Sequence, residues 1–119
     1  MTTTTSTSFV TKLSGTTASV PAGTYRVAFS YGWNYDDNAT DFEARFLLDG
    51  VASNLHVQEP KDIAGTFGST GTDQRFYVNR VLYFDLTAGT HDLDLEYRST
   101  LAGAEASIWD AVIEIWRVQ

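Results

Sequence analysis

A chain of 119 residues makes one domain, and at that size roughly two-thirds of the unfolded surface is buried, so the fold needs no staples. It contains no cysteine, which excludes disulfide scaffolds, thiolate zinc sites and cysteine nucleophiles. Fifteen acidic residues against eight basic ones leave a net charge of −7, which argues against phosphate backbones and anionic lipid as partners.

The chain opens Met1-Thr2-Thr3-Thr4-Thr5-Ser6-Thr7-Ser8 ahead of the first apolar pair, Phe9-Val10. No basic or apolar lead-in marks this stretch as a secretory signal. Threonine and serine runs bury too little apolar surface to fold alone, and such a terminus is ordered only where something holds it. The expectation is an extended arm over residues 1–8, packed on a neighbouring chain, followed by a single domain over residues 9–119.

From there the pattern has period two. Tyr25, Val27, Phe29, Tyr31 and Trp33 alternate with Arg26, Ala28, Ser30, Gly32 and Asn34. Phe42, Ala44, Phe46 and Leu48 form a second such series, and Leu93, Leu95 and Tyr97 a third. Each predicts a strand with one buried and one wet face. Asp49-Gly50 between two apolar runs signals a tight hairpin. No segment carries a sustained 3.6 period with caps, so the fold class is all-β with negligible helix.

Residues 19–31 (SVPAGTYRVAFSY) echo residues 85–97 (DLTAGTHDLDLEY). Two such halves suit a two-sheet antiparallel jelly-roll-like sandwich of about eight strands. An immunoglobulin-type sandwich is the alternative, but its Cys…Trp…Cys signature is missing. Residues 58–74 form the longest loop candidate, and loops of that length carry function or are disordered.

Two segments resemble small β-rich structural proteins of tailed-bacteriophage virions. One is Ala22-Gly23-Thr24-Tyr25-Arg26-Val27 with Tyr31-Gly32-Trp33-Asn34-Tyr35 and Asp41-Phe42-Glu43-Ala44-Arg45. The other is Ala88-Gly89-Thr90-His91 with Leu93, Leu95 and the run from Ile108 to Val118. Gln58-Glu59-Pro60-Lys61-Asp62 between them is similar in the same setting. The resemblance covers about residues 20–119 and its motifs are turns and strands. It implies a jelly-roll subunit on the outer surface of a virion, either a head decoration (cement) protein or a tail component, commonly an oligomer and often a trimer. It implies no catalytic residue, cofactor or metal.

In the terminal strand, Ala111, Ile113 and Ile115 face one side while Val112, Trp116 and Val118 face the other. Either the strand is buried on both faces, or the second set is an oligomer interface. Thr2, Thr3, Thr4, Thr5 and Phe9 join Val112, Trp116 and Val118 as the expected interface. Asp36, Asp37, Asn38 and Asp41 crowd one loop with oxygen ligands suited to Ca²⁺, but Asp and Asn are also ordinary turn formers, and that reading outweighs the metal.

His91 beside Asp92, with Ser99 and Ser107, suggests a hydrolytic triad, yet no Gly-x-Ser-x-Gly elbow exists. His56 and His91 have no metal-ligand spacing. Glu59 and Asp62 could pair as acid and base in a glycosidase only at a fixed separation, which the sequence does not set. Tyr31, Trp33 and Tyr35 form an aromatic row that could stack sugars, although same-face aromatics on a strand are more often core. Together with Glu59, Lys61 and Asp62 they are the expected recognition residues.

These features read as a non-enzymatic virion structural protein, made in the host cytoplasm, that stabilises the capsid by bridging subunits. Its expected partners are itself, as a trimer, and a capsid or other virion protein, with no nucleic acid or membrane. The alternative is a tail-associated carbohydrate- or receptor-binding β-sandwich module.

Overall fold

The computed structural model describes residues 1–37, 39–59 and 75–119. Among them lie eight strands: β1 (Thr2–Thr4), β2 (Val10–Thr16), β3 (Gly23–Tyr35), β4 (Phe42–Leu48), β5 (Val51–Gln58), β6 (Phe76–Leu86), β7 (Asp92–Ser99) and β8 (Ala106–Arg117). They form two four-stranded sheets, ordered β1-β8-β3-β6 and β2-β7-β4-β5, with every pairing antiparallel.

That order has a simple origin. The chain folds at its middle into a long antiparallel ribbon in which β4 pairs β5, β3 pairs β6, β2 pairs β7 and β1 pairs β8. Successive rungs of the ribbon then go to opposite sheets, which is how a jelly roll is made. The ribbon turns at Asp49-Gly50, where both residues have positive φ (50° and 78°) and Leu48 faces Val51. Two left-handed residues in succession give the hairpin turn whose twist matches its strands.

The echoed segments become β3 and β7, an interior strand of each sheet. Their lead-ins are joined by mutual backbone bonds between Val20 and Gly89. Between the sheets lie Val27, Phe29, Tyr31, Trp33, Phe42, Phe46, Leu95, Tyr97 and Ile108, all buried. Trp33 stacks on Phe42 at 4.6 Å and Phe29 on Phe46 at 5.3 Å, which locks the two sheets in register face to face.

The N-terminal segment differs from the expected arm. Thr2, Thr3 and Thr4 pair with Ile108, Ser107 and Ala106 of their own chain, as the edge strand of the first sheet. Beyond it, the Ser6 carbonyl accepts from the Ser99 amide, and the Thr7 carbonyl accepts from Arg98. The open side of β8 offers a ladder that hydroxyl side chains can join without any apolar payload, so Thr2–Thr4 form an edge strand of the sandwich. Thr5 lies exposed between β1 and β2.

Candidate functional site

In β3 the odd residues Tyr25 to Tyr35 point into the sandwich, so the even ones line the outer face of the first sheet. The register supplies their neighbours. Arg26 sits between Tyr83 and Trp116, Ala28 between Val81 and Glu114, Ser30 between Asn79 and Val112, and Gly32 between Tyr77 and Trp109. The middle strand therefore contributes a floor of small side chains, and the strands on either side contribute large ones. The result is a hollow of about 470 Å³ lined by Ala28, Ser30, Asn79, Val81, Val112 and Glu114, among others.

Aromatic rings stand on the same face, beside Arg26 and Gly32 at either end of this floor. Tyr77 is 65% exposed, Tyr83 62% and Trp116 39%. The Arg26 guanidinium lies 4.3 Å over the Trp116 ring. At the opposite end the Trp109 indole lies over Gly32 so closely that a Cβ there would fall within the ring. Tyr77 meets Trp109 edge-on at 6.2 Å, and Arg75 covers it at 5.3 Å. Beyond Trp109 a smaller recess of about 130 Å³ is lined by Asn34, Asp36, Arg75, Glu105 and Ser107.

One irregularity puts Trp109 there. The β3–β8 register shifts between Ser30 and Gly32, and Asp110 adopts φ 49°. This β-bulge inserts one residue into β8, so Ile108 and Ala111 both face the core while Trp109 and Val112 both face out. Strict alternation would have put Trp109 inside with Ala111, which is why the sequence pattern did not single it out. The visible signal for this face was the run of small residues at 28, 30 and 32.

The expected aromatic row does not lie on this outer face. Tyr31, Trp33 and Tyr35 are at most 1% exposed, on the inner face, and no ligand reaches them. The Tyr31 hydroxyl bonds Nδ1 of buried His56 at 2.8 Å, and Tyr35 bonds Ser99. Val112, Trp116 and Val118 do lie opposite Ala111, Ile113 and Ile115, and they are open to solvent rather than buried on a second core. Phe9 sits on the other sheet, between the guanidiniums of Arg45 (4.0 Å) and Arg98 (4.4 Å). Those arginines pair with Glu96 and Glu43. Glu59 follows β5, whereas Lys61, Asp62 and the rest of residues 60–74 lie outside the described residues, as does Asn38.

The other polar clusters are absorbed by structure. Asp37 accepts from the amides of Ala39 and Thr40, the bonds of a turn-forming carboxylate, and Asp36 accepts from the amide of Glu105, tying two distant segments together. Among the described residues no group of three or more His, Asp or Glu side chains could hold a metal. His91 bonds Asp49 and the Thr87 carbonyl rather than Asp92. Ser99 bonds Tyr35 and the Leu101 carbonyl, so these residues do not assemble as a triad. A cleft of about 320 Å³ between the sheets, walled by Leu13, Leu93, Ile113 and Ile115, has few convergent polar groups.

The chain matches no family model and no curated protein sequence. Among solved structures it is similar to the C-terminal domain of EclA, described as a sugar-binding protein, with a TM-score of 0.51 and 14% identity over 92% of this chain and 79% of that one. It is also similar to part of dimeric latent PorU from Porphyromonas gingivalis, with a TM-score of 0.55 and 14% identity over 87% of this chain and 9% of that much longer one. A family 35 carbohydrate-binding module from an environmental isolate superposes more loosely, with a TM-score of 0.41 and 14% identity over 89% of this chain and 70% of that one. At such identity the first two likenesses show the shared fold alone. None of the three is a phage virion protein.

Proposed function

We propose that the protein is a carbohydrate-binding module whose combining site is the outer face of the first sheet. The observation that carries this reading is the hollow floored by Ala28 and Ser30, with the exposed rings of Tyr77, Tyr83 and Trp116 on the same sheet face one register step beyond it. A pyranose offers an apolar C–H face and a rim of hydroxyls, so its receptor needs exposed aromatic rings beside a few fixed polar groups in a concavity. Ser30, Asn79 and Glu114 are those polar groups. The similarity to a sugar-binding domain of the same fold supports the reading.

Affinity electrophoresis through gels containing plant, bacterial and fungal polysaccharides tests it. The protein is expected to be retarded by at least one of them. The Tyr77→Ala/Tyr83→Ala double variant, altered only at exposed side chains, should run freely with an unchanged circular dichroism spectrum. Equal retardation of the variant overturns this site.

A second reading keeps the phage resemblance. The aliphatic side chains of Val81, Val112 and Val118 are each nearly half exposed on or beside the same face, and aliphatics serve protein contact better than sugar stacking. On this reading the face is the contact surface of a trimeric virion decoration protein. A solution mass three times that of one chain, reduced to one by Val112→Glu, would favour it over sugar binding.

A further inference from the structure

Resting on the carbohydrate reading, we infer that the trough on the first sheet takes a short, uncharged glycan of roughly two pyranose rings, and that Glu114 selects against acidic sugars.

The length limit comes from the two ends. Arg26 and Gly32 are six residues apart, about 20 Å along an extended strand. At one end Arg26 reaches across onto Trp116, linking β3 to β8 over the floor. At the other the Trp109 indole occupies the space above Gly32, backed by Tyr77 and Arg75. The open floor between them is centred on Ala28 and Ser30 and extends only about 13 Å. Trp109 also separates the trough from the recess at Asn34 and Glu105, so the two hollows do not join into one long groove.

The charge preference comes from what lines that floor. Glu114 stands beside Ala28 and has no ion-pair partner among the described residues. Its two oxygens accept from a pair of neighbouring sugar hydroxyls, while Asn79 and Ser30 on the facing side can donate or accept. Of the cations near this floor, Arg26 is turned to Trp116 and Arg75 to Trp109 at its ends, and Arg80, which lines the hollow with Arg26, donates to the Asn79 carbonyl. Asp85, just past Tyr83, is bonded by the Thr24 hydroxyl and adds further negative charge. A uronate seated against Glu114 would meet its carboxylate at contact distance, whereas Arg26 and Arg80 are each already engaged, by the Trp116 ring and by the Asn79 carbonyl.

Calorimetric titration with dimers to hexamers of β-linked glucose, mannose, galactose and xylose, and with digalacturonate, tests both parts. The expected result is affinity for a neutral series that levels off at the dimer or trimer, with digalacturonate bound at least tenfold more weakly. Glu114→Gln should weaken the neutral dimer by about three- to tenfold and narrow the gap to digalacturonate. Affinity still climbing to the hexamer overturns the closed trough, and equal binding of digalacturonate overturns the role of Glu114. Both failures leave sugar binding intact. Binding of no probe, together with free migration of the protein through every polysaccharide gel, overturns the carbohydrate reading, and this inference falls with it.

Discussion

The indole of Trp109 lies directly over the α-carbon of Gly32, its cross-strand partner, and fills the place where any other residue would carry a side chain. The glycine is required for space rather than for backbone freedom, since its φ is not positive. The pair fixes one end of the trough and anchors the bulge at Asp110.

Gly32→Ala should therefore lower stability by about 1–3 kcal/mol, the usual range for overpacking, and displace Trp109 outward. Urea unfolding gives the first quantity, and a red shift in tryptophan emission reports the second. Wild-type stability in the variant would mean that the indole moves aside without cost.

The two histidines titrate with opposite sign. His91 Nδ1 lies 2.7 Å from Asp49 Oδ2 and its Nε2 2.8 Å from the Thr87 carbonyl, both acceptors, so the ring fits best as an imidazolium. The Asp49 bond, then the Thr87 carbonyl, hold its pKa above the usual 6.5. Asp49 is held below its usual 3.8, first by His91 and then by the Asp92 amide. The His91 contribution is complete below pH 6.5 and is lost as pH rises through its folded pKa. The Asp49 contribution is complete above pH 3.8 and is lost as pH falls through its folded value. His56→Gln, which leaves only this pair, should lose stability between pH 5.5 and pH 8.5 by denaturant midpoint. A midpoint that rises over that range would refute the imidazolium assignment.

His56 behaves the other way. It is buried, accepts from the Tyr31 hydroxyl at Nδ1 and donates from Nε2 to the Gln58 side-chain oxygen, which describes a neutral ring. Burial holds its pKa below 6.5, so its contribution is complete above pH 6.5 and is lost as pH falls through the folded value. His91→Gln should accordingly become more stable from pH 5.5 to pH 8.5. Tyr31→Phe, which leaves Nδ1 buried without its donor, should cost about 1–3 kcal/mol at neutral pH. A neutral effect would show that the ring reorients to find another partner.

Period-two alternation was enough to read the sandwich, because each strand of this fold has one dry face and the parity of Tyr25 to Trp33 is unbroken. The Asp49-Gly50 turn was legible for a similar reason, since few other pairs accept two left-handed residues. The outer face of the first sheet was harder. Aromatic rings are conspicuous in a sequence, but whether Trp33 or Tyr77 meets solvent depends on which face the second sheet covers, a long-range fact. Trp109 was hidden further by the bulge, which reverses parity at one residue. The pairing of Thr2 to Thr4 was not legible because they have no apolar pattern. What holds them is a backbone ladder offered by Ala106 to Ile108, about a hundred residues away in the chain.

That ladder makes the last prediction the reverse of what an arm would show. Deleting residues 1–8 removes the strand pairing with Ala106, Ser107 and Ile108 and the Ser6–Ser99 backbone bond. It also bares the edge of β8 beside side chains that are now fully buried. At about 1 kcal/mol net per hydrogen bond, the truncated protein should be about 2–4 kcal/mol less stable and more prone to aggregate through the exposed edge. Polysaccharide retardation in the gel should persist, because Ser30, Tyr77, Tyr83 and Glu114 are untouched. An arm that docks on a neighbouring subunit predicts the opposite pair of results, full stability with loss of assembly, so chemical denaturation and light scattering on the truncated chain separate the two.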